Sequence, residues 1–422
     1  MVNKLKRLNP QFKNFLKTSS KSAKRFGYNI YLVGGAVRDL LLNRPVFDLD
    51  IAVEGDAILL VRQIAKQLNE KFRRHHSFGT ATLYHHGHKI DFATARKEIY
   101  PYSGSLPKVK KSFLKEDLAR RDFSINAMAI SLNKKNYGQL IDFYQGRQDL
   151  KNRLIRILYP ESFLDDSLRI LRAVRFQQRF TFKIETKTYA FMKQAIGAGA
   201  LKWINPHRLR DELILFLDEP NPYRYIKKFY LLERFNFINK RIKLDKEDFK
   251  FFIRAQTAIR FYNKLVKNEK KVKYWLIFLT GILLNLSNHE AVEVVAKFGF
   301  KKDERSTIIS IKKGLDKIKK LDKKLKASAI YKILSGYNQE AIIFFYAYFS
   351  RKKIRSNIIF FLKKVSGQKL KIKGKDLQKI GVESSSFMGE MLKEIFYLKL
   401  DKNLNTKRQE LNEARNIIKK GG

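Results

Sequence analysis

The 422-residue chain contains no cysteine, which excludes disulfides, thiol nucleophiles and Cys-ligated zinc. It has no uninterrupted apolar run close to the ~20 residues of a membrane-spanning helix. The nearest stretch, Tyr274–Leu284, is too short to span and is expected to be a buried helix. The N-terminus, Met1-Val-Asn-Lys-Leu-Lys-Arg, lacks an apolar h-region, so a cytoplasmic, non-membrane protein is expected. No G-x-x-x-x-G-K-S/T segment occurs, which excludes a P-loop. There is no fixed-period repeat and no Gly/Ser linker, so the helical units should pack directly on one another. Acidic residues are scarce: 40 Asp and Glu stand against 88 Lys and Arg, a formal charge of +48. That excess predicts a polyanionic partner and salt-sensitive binding, although a lysine-rich proteome would produce the same bias.

What is present is concentrated between Tyr31 and Val53. The order is an apolar strand, Gly34-Gly35, a short helix carrying Arg38, then a strand bearing Asp48 and Asp50. Residues at i and i+2 of a strand share a face, so the two carboxylates are expected side by side. Two hard oxygen ligands suit a Mg²⁺ ion shared with phosphates. The glycines let backbone N–H groups approach a phosphate, the helix N-terminus favours the same anion, and Arg38 adds a charged fork. Such a combination is expected to form a metal-dependent nucleotidyl-transfer site. Asp91, predicted on a neighbouring strand, either completes that site, orients an attacking hydroxyl, or pairs with Arg96 or a lysine.

This segment resembles motif A of the class II tRNA nucleotidyltransferases and bacterial poly(A) polymerases, L-V-G-G-x-V-R-D followed by D-x-D. The following Glu54-Gly55-Asp56-Ala57 is closer to the tRNA-enzyme branch. Arg120-Arg121-Asp122-Phe123-Ser124-Ile125-Asn126-Ala127-Met128-Ala129 resembles motif B, with Ser124 where Thr is usual. It implies a ribose-and-phosphate wall, with Asp122 and Asn126 on the sugar and Arg121 on the phosphates. Asp142 to Leu150 resembles motif C, with Phe143 in place of Pro, and reads as a structural hinge.

Asp165-Asp166-Ser-Leu-Arg169 resembles motif D, E-D-x-x-R, with Asp165 where Glu is usual. Asp166 and Arg169, at i and i+3, are expected on one helical face. A carboxylate accepts and a guanidinium donates, so the pair matches the amine and ring nitrogen of cytosine or adenine. Guanine and uracil would leave buried groups unpaired, at about 1–3 kcal/mol each. Arg172 continues the stripe towards the triphosphate or the RNA end.

The resemblance implies an α+β fold: a polymerase-β-like nucleotidyltransferase head over residues 1–150, a neck over 151–215, a helical body over 216–340 and a helical tail over 341–422. A helix is predicted over 10–26 and another over 56–70, strands over 80–84 and 89–93, a loop over 96–115, and almost continuous helix after about 163. The implied activity is addition of CCA to the tRNA 3′ end and acceptor arm from CTP and ATP with Mg²⁺, without a stable protein partner. The alternatives are A-only addition, poly(A) synthesis, or a non-catalytic RNA-binding protein. The retained loop Arg96–Lys108 speaks against a CC-only enzyme. His75, His76, His85, His86 and His88 read as loop and turn histidines rather than metal ligands. Lys371–Gly381 resembles a tail segment, G-K-D-L-x-x-x-G, with Ser384-Ser385-Ser386 replacing the usual Pro-Gly-Pro. The aromatic and basic residues interleaved at 246–262 and 343–363 fit either an RNA grip or a core with a solvated face.

Overall fold

Asn9-Pro10 opens the first long helix: the Asn9 side chain accepts the Phe12 N–H at 2.7 Å and Pro10 occupies the first turn. The computed structural model describes residues 2–101, 107–266, 272–383 and 386–421. It divides into two units, Met1–Leu213 and Ile214–Gly422.

In the first unit, α1 (Val2–Leu5) and α2 (Pro10–Arg25) lead into β1 (Asn29–Val33), α3 (Gly35–Leu41), β2 (Leu49–Glu54) and α4 (Ala57–Leu68). Then come β3 (Phe72–His75), β4 (Thr80–His85), β5 (His88–Thr94), β6 (Arg96–Ile99), β7 (Lys108–Lys111) and α5 (Leu114–Ala119). β8 (Ala129–Ser131), β9 (Leu140–Ile141) and α6 (Gly146–Asn152) complete the α/β part. Seven strands form one mixed sheet in the order β3-β4-β5-β2-β1-β8-β9, in which only β2 and β5 run parallel.

Alternation along the strands separates the two faces of the sheet. Leu49, Ile51 and Val53 of β2 are buried on the side where α2 and α4 pack. On the other side Tyr31, Val33, Ala52 and Ala129 meet Leu114 and Leu118 of α5 in a small core. Asp50 shares that second face with Ala52, so α5 and the segment after it border the carboxylate.

The expected loop over 96–115 is corrected. β6 and β7 pair as an antiparallel hairpin, Arg96↔Lys111 to Ile99↔Lys108, and α5 follows at Leu114. The turn signals Pro101 and Pro107 mark the hairpin's tip; Tyr102 to Leu106 lie outside the described residues. After α6 the chain is helical as expected, apart from a two-residue parallel pair, β10 (Leu154–Ile155) with β11 (Lys183–Ile184). Such short strands have too little alternation to be read from sequence. Around β11 lie α7 (Ser162–Asp165), α8 (Leu168–Phe180), α9 (Thr186–Gly197) and α10 (Pro206–Leu217).

The second unit consists, among the described residues, of helices. In α11 (Pro222–Glu233), α12 (Lys246–Leu265) and α13 (Tyr274–Ile282), buried aromatic residues dominate the packing. Phe251 and Phe252 of α12 crowd Gly281 so closely that a Cβ there would sit 2.5 Å from a ring carbon. Phe251 also meets Phe344 at 4.8 Å between centroids, and Phe251, Phe252, Tyr262, Phe344, Phe345 and Phe361 of the 246–262 and 343–363 stretches are core, whereas Phe360 is exposed. The apolar 274–284 stretch is buried, and no helix among the described residues is long and apolar enough to cross a membrane. At the C-terminal end, Ile372, Leu377, Met391, Ile395 and Ala414 form a separate small core. Beside it the buried Glu410 carboxylate pairs with Lys399 at 2.7 Å and accepts the Lys371 and Ile372 N–H groups. Ser384 and Ser385 lie outside the described residues.

Candidate active site

The parallel pairing of β2 with β5 sets Asp50 directly beside Asp91. Asp91 is held on both oxygens: the Thr82 hydroxyl donates to Oδ1 at 2.5 Å and Lys89 Nζ to Oδ2 at 2.6 Å. The lysine alternative is therefore realised for Asp91, while its carboxylate still lines the pocket described below. Asp48 lies one residue before β2 rather than within it, and it is exposed. Among the described residues neither the Asp48 nor the Asp50 side chain has a hydrogen bond or an ion pair, and of the two only Asp50 lines that pocket. Solvent reaches Asp50, but the carboxylate is recessed in a concavity. That desolvation pushes its pKa above the usual carboxylate value; Arg121 and Lys89 pull it down, and Asp91 and Asp48 push it further up.

Two unpartnered hard-oxygen groups, mutually repelling, fit a divalent cation. Among the described residues no three His, Cys, Asp or Glu side chains are grouped to hold one. A metal here would rest on Asp48 and Asp50 plus oxygens supplied by a ligand, which is how Mg²⁺ is commonly shared with phosphates.

Gly34 links β1 to α3 with φ +68°, a conformation that favours glycine. It has a second reason to lack a side chain: a Cβ would lie 2.8 Å from Arg121 Nη1 and 3.7 Å from Asp50 Oδ2. Gly35 starts α3 within reach of the Arg38 guanidinium. Arg38 is buried, and its fork is already engaged. Nε and Nη2 donate to the two Asp39 oxygens at 3.0 Å, and Nη1 donates to Asn126 Oδ1 at 2.7 Å. Asn126 Nδ2 in turn donates to Asp122 Oδ1 at 2.9 Å, and Asp122 Oδ2 faces Arg172 Nη2 at 2.7 Å. A continuous chain from Asp39 to Arg172 thus ties α3, the turn after α5, and α8 together. Burial opposes the Asp122 charge, but Arg172, the Asn126 amide and Arg169 outweigh it and hold its pKa below the usual range. Asp117 is alike: buried, yet kept low by Arg121 and Arg120, which it binds at 3.0 and 2.7 Å.

Arg169, Arg172, Arg175 and Arg179 of α8 line the pocket on one helical stripe, with Phe176 between them. The expected single helical face for Asp166 and Arg169 is corrected. α7 ends at Asp165, Asp166 is extended (φ −136°, ψ 90°), and α8 starts at Leu168. Partners on other segments open that turn: the Ser167 hydroxyl donates to the Ala200 carbonyl at 2.9 Å, and Asp166 Oδ2 pairs with Arg208 at 3.2 Å. Arg169 remains beside Asp166 and is buried. It donates to the Tyr159 hydroxyl at 3.1 Å, to Ser162 Oγ at 2.5 Å and to the Arg120 carbonyl at 2.7 Å. Asp165, the departure from the motif, accepts the Tyr159 O–H at 2.9 Å and so reaches Arg169 through the phenol.

Several contributors are invisible in the motifs. Arg208 and Glu212 lie four apart on α10, a spacing that signals a shared face. Their partners Asp166 and Arg175 come from α7–α8. Glu98 of β6 binds Arg96 and Arg120, each at 2.9 Å, and accepts the Tyr100 O–H at 2.9 Å, which joins the hairpin to the wall. The motif C segment supports the site from outside: Asp142 accepts the Gly146 and Arg147 N–H groups, and Asp149 accepts the Ser124 hydroxyl at 2.6 Å. His85 and His88 flank a tight turn and pack on Phe15 and Phe12 of α2.

Together these groups enclose a pocket of about 840 Å³ bounded by Gly34, Asp50 and Asp91 on one side and by the α8 stripe on the other. Arg121 Nε, Arg172 Nε and Asp166 Oδ1 are buried there without a hydrogen-bond partner. Orphaned polar atoms cost about 1–3 kcal/mol each and are rare in folded proteins. The pocket therefore presents unsatisfied cationic donors, which suit phosphate, and an unsatisfied carboxylate acceptor, which suits an amine.

Residues 30–156 match the poly(A) polymerase head domain family. The A-adding tRNA nucleotidyltransferase of Aquifex aeolicus is 34% identical over 369 residues, covering 86% of this chain and 44% of that protein. The chain spans about half the length of the curated relatives it matches. Among solved structures, a CCA-adding enzyme in apo form II aligns with a TM-score of 0.80 and 34% identity, covering 98% of this chain and 97% of the other. The Thermotoga maritima CCA-adding enzyme complexed with tRNA aligns with a TM-score of 0.76 and 33% identity, covering 99% and 98%.

Proposed function

The chain belongs to the tRNA nucleotidyltransferase family, and from that premise we propose that it adds the CCA nucleotides to the 3′ end of tRNA from CTP and ATP without a nucleic-acid template. The observation that carries this reading is the convergence of orphaned Arg121, Arg172 and Asp166 atoms on the pocket that also holds Asp50.

In this reading the tRNA 3′-oxygen bonds to the α-phosphorus as the bond to pyrophosphate breaks. Asp48 and Asp50 would hold Mg²⁺, which when bound supplies Lewis-acid stabilisation of the reacting oxygens. Arg121 and Arg172 donate to the triphosphate. Arg38, committed to Asp39 and Asn126, fixes the wall from behind and stacks on Phe180 at 4.7 Å. Asp122 and Asn126 border the sugar. Asp166 accepts the exocyclic amine of cytosine or adenine, and Arg169 donates to the ring nitrogen. Residues 1–150 act as head, 151–215 as neck, 216–340 as body and 341–422 as tail, with the acceptor arm as the polyanion that the +48 charge attracts.

A second reading, A-only addition after a separate CC-adding enzyme, is favoured by the name carried by the Aquifex relative. Incubation with labelled CTP or ATP and tRNAs truncated before the first C, the second C or the final A separates the two. The primary reading expects C incorporation on the first two substrates and A on the third. A alone supports the second reading; long A tails or no incorporation on any substrate overturns both.

A further inference from the structure

Phe78 has no role in the reading above. It closes the short 3₁₀ turn His76–Phe78 before Gly79, whose positive φ (+59°) returns the chain into β4. The Thr94 N–H donates to the Gly79 carbonyl at 3.0 Å, which fixes this turn at the end of β5. Asp91 and Ala93 alternate onto the pocket face of β5, and Phe78 continues that face past Ala93.

Three aromatic side chains line the pocket among the described residues. Phe176 is buried (4% exposed) beneath the arginines, and the Tyr100 hydroxyl is committed to Glu98. Phe78 is 49% exposed. Arg96 backs its ring at 5.8 Å and donates to its backbone carbonyl at 3.1 Å, and Arg96 is itself held by Glu98. A ring braced on one face by a fixed cation, and still half in solvent, offers its other face to a flat partner.

We propose that Phe78 is the stacking seat for the base at the 3′ end of the RNA acceptor. The proposal rests on the nucleotidyl-transfer reading. The incoming base is served by edge contacts at Asp166 and Arg169, on the helical wall. Phe78 lies on the sheet wall, along the face that carries Asp91. The RNA end changes identity as it grows, so hydrogen bonds to one base edge would fail at the next step. An aromatic face accepts every base. The +48 charge draws in the backbone, and the ring fixes the terminal nucleotide.

Two measurements test this. In steady state, F78A raises the KM for tRNA lacking the final A about tenfold, leaves the KM for ATP within twofold, and F78W restores it. The ring is half exposed, so the variant is expected to melt with the wild type. Independently of turnover, a tRNA ending in 5-iodocytidine, irradiated with the wild-type protein, crosslinks to Phe78 by peptide mass spectrometry. Crosslinking elsewhere, unchanged KM values in F78A, or a change confined to the KM for ATP overturns the seat. If the wild type adds no nucleotide to any truncated tRNA, the function falls, while the crosslink still decides the seat.

Discussion

The two walls of the pocket handle charge in opposite ways. On the helical side four carboxylates have cationic partners: Asp39 with Arg38, Asp117 with Arg120 and Arg121, Asp122 with Arg172, and Asp166 with Arg208. On the sheet wall Asp91 is held by Lys89, but Asp50, and Asp48 just before β2, have no such partner among the described residues, and burial, helped by Asp91 and Asp48, lifts the Asp50 pKa. Buried, paired acids hold the scaffold together, because removing one partner strands the other. Acids left facing one another cost stability and persist where a ligand relieves them. The same residue type thus serves two ends according to its neighbours.

The sharpest break in this comparison is on the sheet wall. Asp50→Ala or Asp48→Ala is expected to lower nucleotide incorporation by on the order of 1,000-fold, while filter binding retains the tRNA. Full activity in either variant would end the metal assignment. On the helical wall the expected loss is stability. Asp117→Ala strands Arg121 and leaves Arg120 with Glu98 alone, at a cost of about 3–5 kcal/mol, so calorimetry should show a Tm lower by roughly 10 °C. An unchanged Tm would mean that the ion pairs are dispensable.

Asp166 combines both behaviours, with one oxygen on Arg208 and the other orphaned. Asp166→Asn places an amide donor where an acceptor is required. Incorporation of ATP relative to UTP should fall about 10- to 100-fold, equivalent to roughly 1–3 kcal/mol. Retained discrimination would move base reading away from this carboxylate.

The smallest effect sharpens the contrast through pH. The Asp50 pKa is higher in the folded protein than in the unfolded chain, so its ionised form destabilises the fold at neutral pH. Asp50→Asn should therefore raise the Tm of the metal-free protein at pH 7, and the gain should shrink as the pH falls towards about 4. Asp117 has the opposite sign. Its pKa is lowered, so its contribution is present above the unfolded value and is lost as the pH falls through the folded one. A Tm for Asp50→Asn below that of the wild type would contradict the assignment of strain to the sheet wall.

Much of the fold was legible because its signals are local. The helices over 10–25 and 57–68 follow from caps and apolar periodicity, and the tight turn at His86-Gly87 from its residues. The hairpin over 96–111 escaped because its proline-rich tip outweighs four-residue strands, and the break at Asp166 escaped because helical spacing continues through it. In the site, the motif residues Gly34, Asp50, Arg121, Asp166 and Arg169 do line one pocket. Arg208, Glu98 and Tyr159 carry no motif, and nothing near them in the chain names their partners.

Residue order alone determined which chemical groups are available and where the longer helices form, since both depend on side chains within a few positions of one another. Tertiary structure decided which charges are spent and which stay free. Arg208 reaches Asp166 across 42 residues, and Arg169 reaches the Arg120 carbonyl across 49. Those pairings depend on distances set by the packed sheet and helices, and electrostatic interactions are governed by separation in space and by burial, not by separation along the chain.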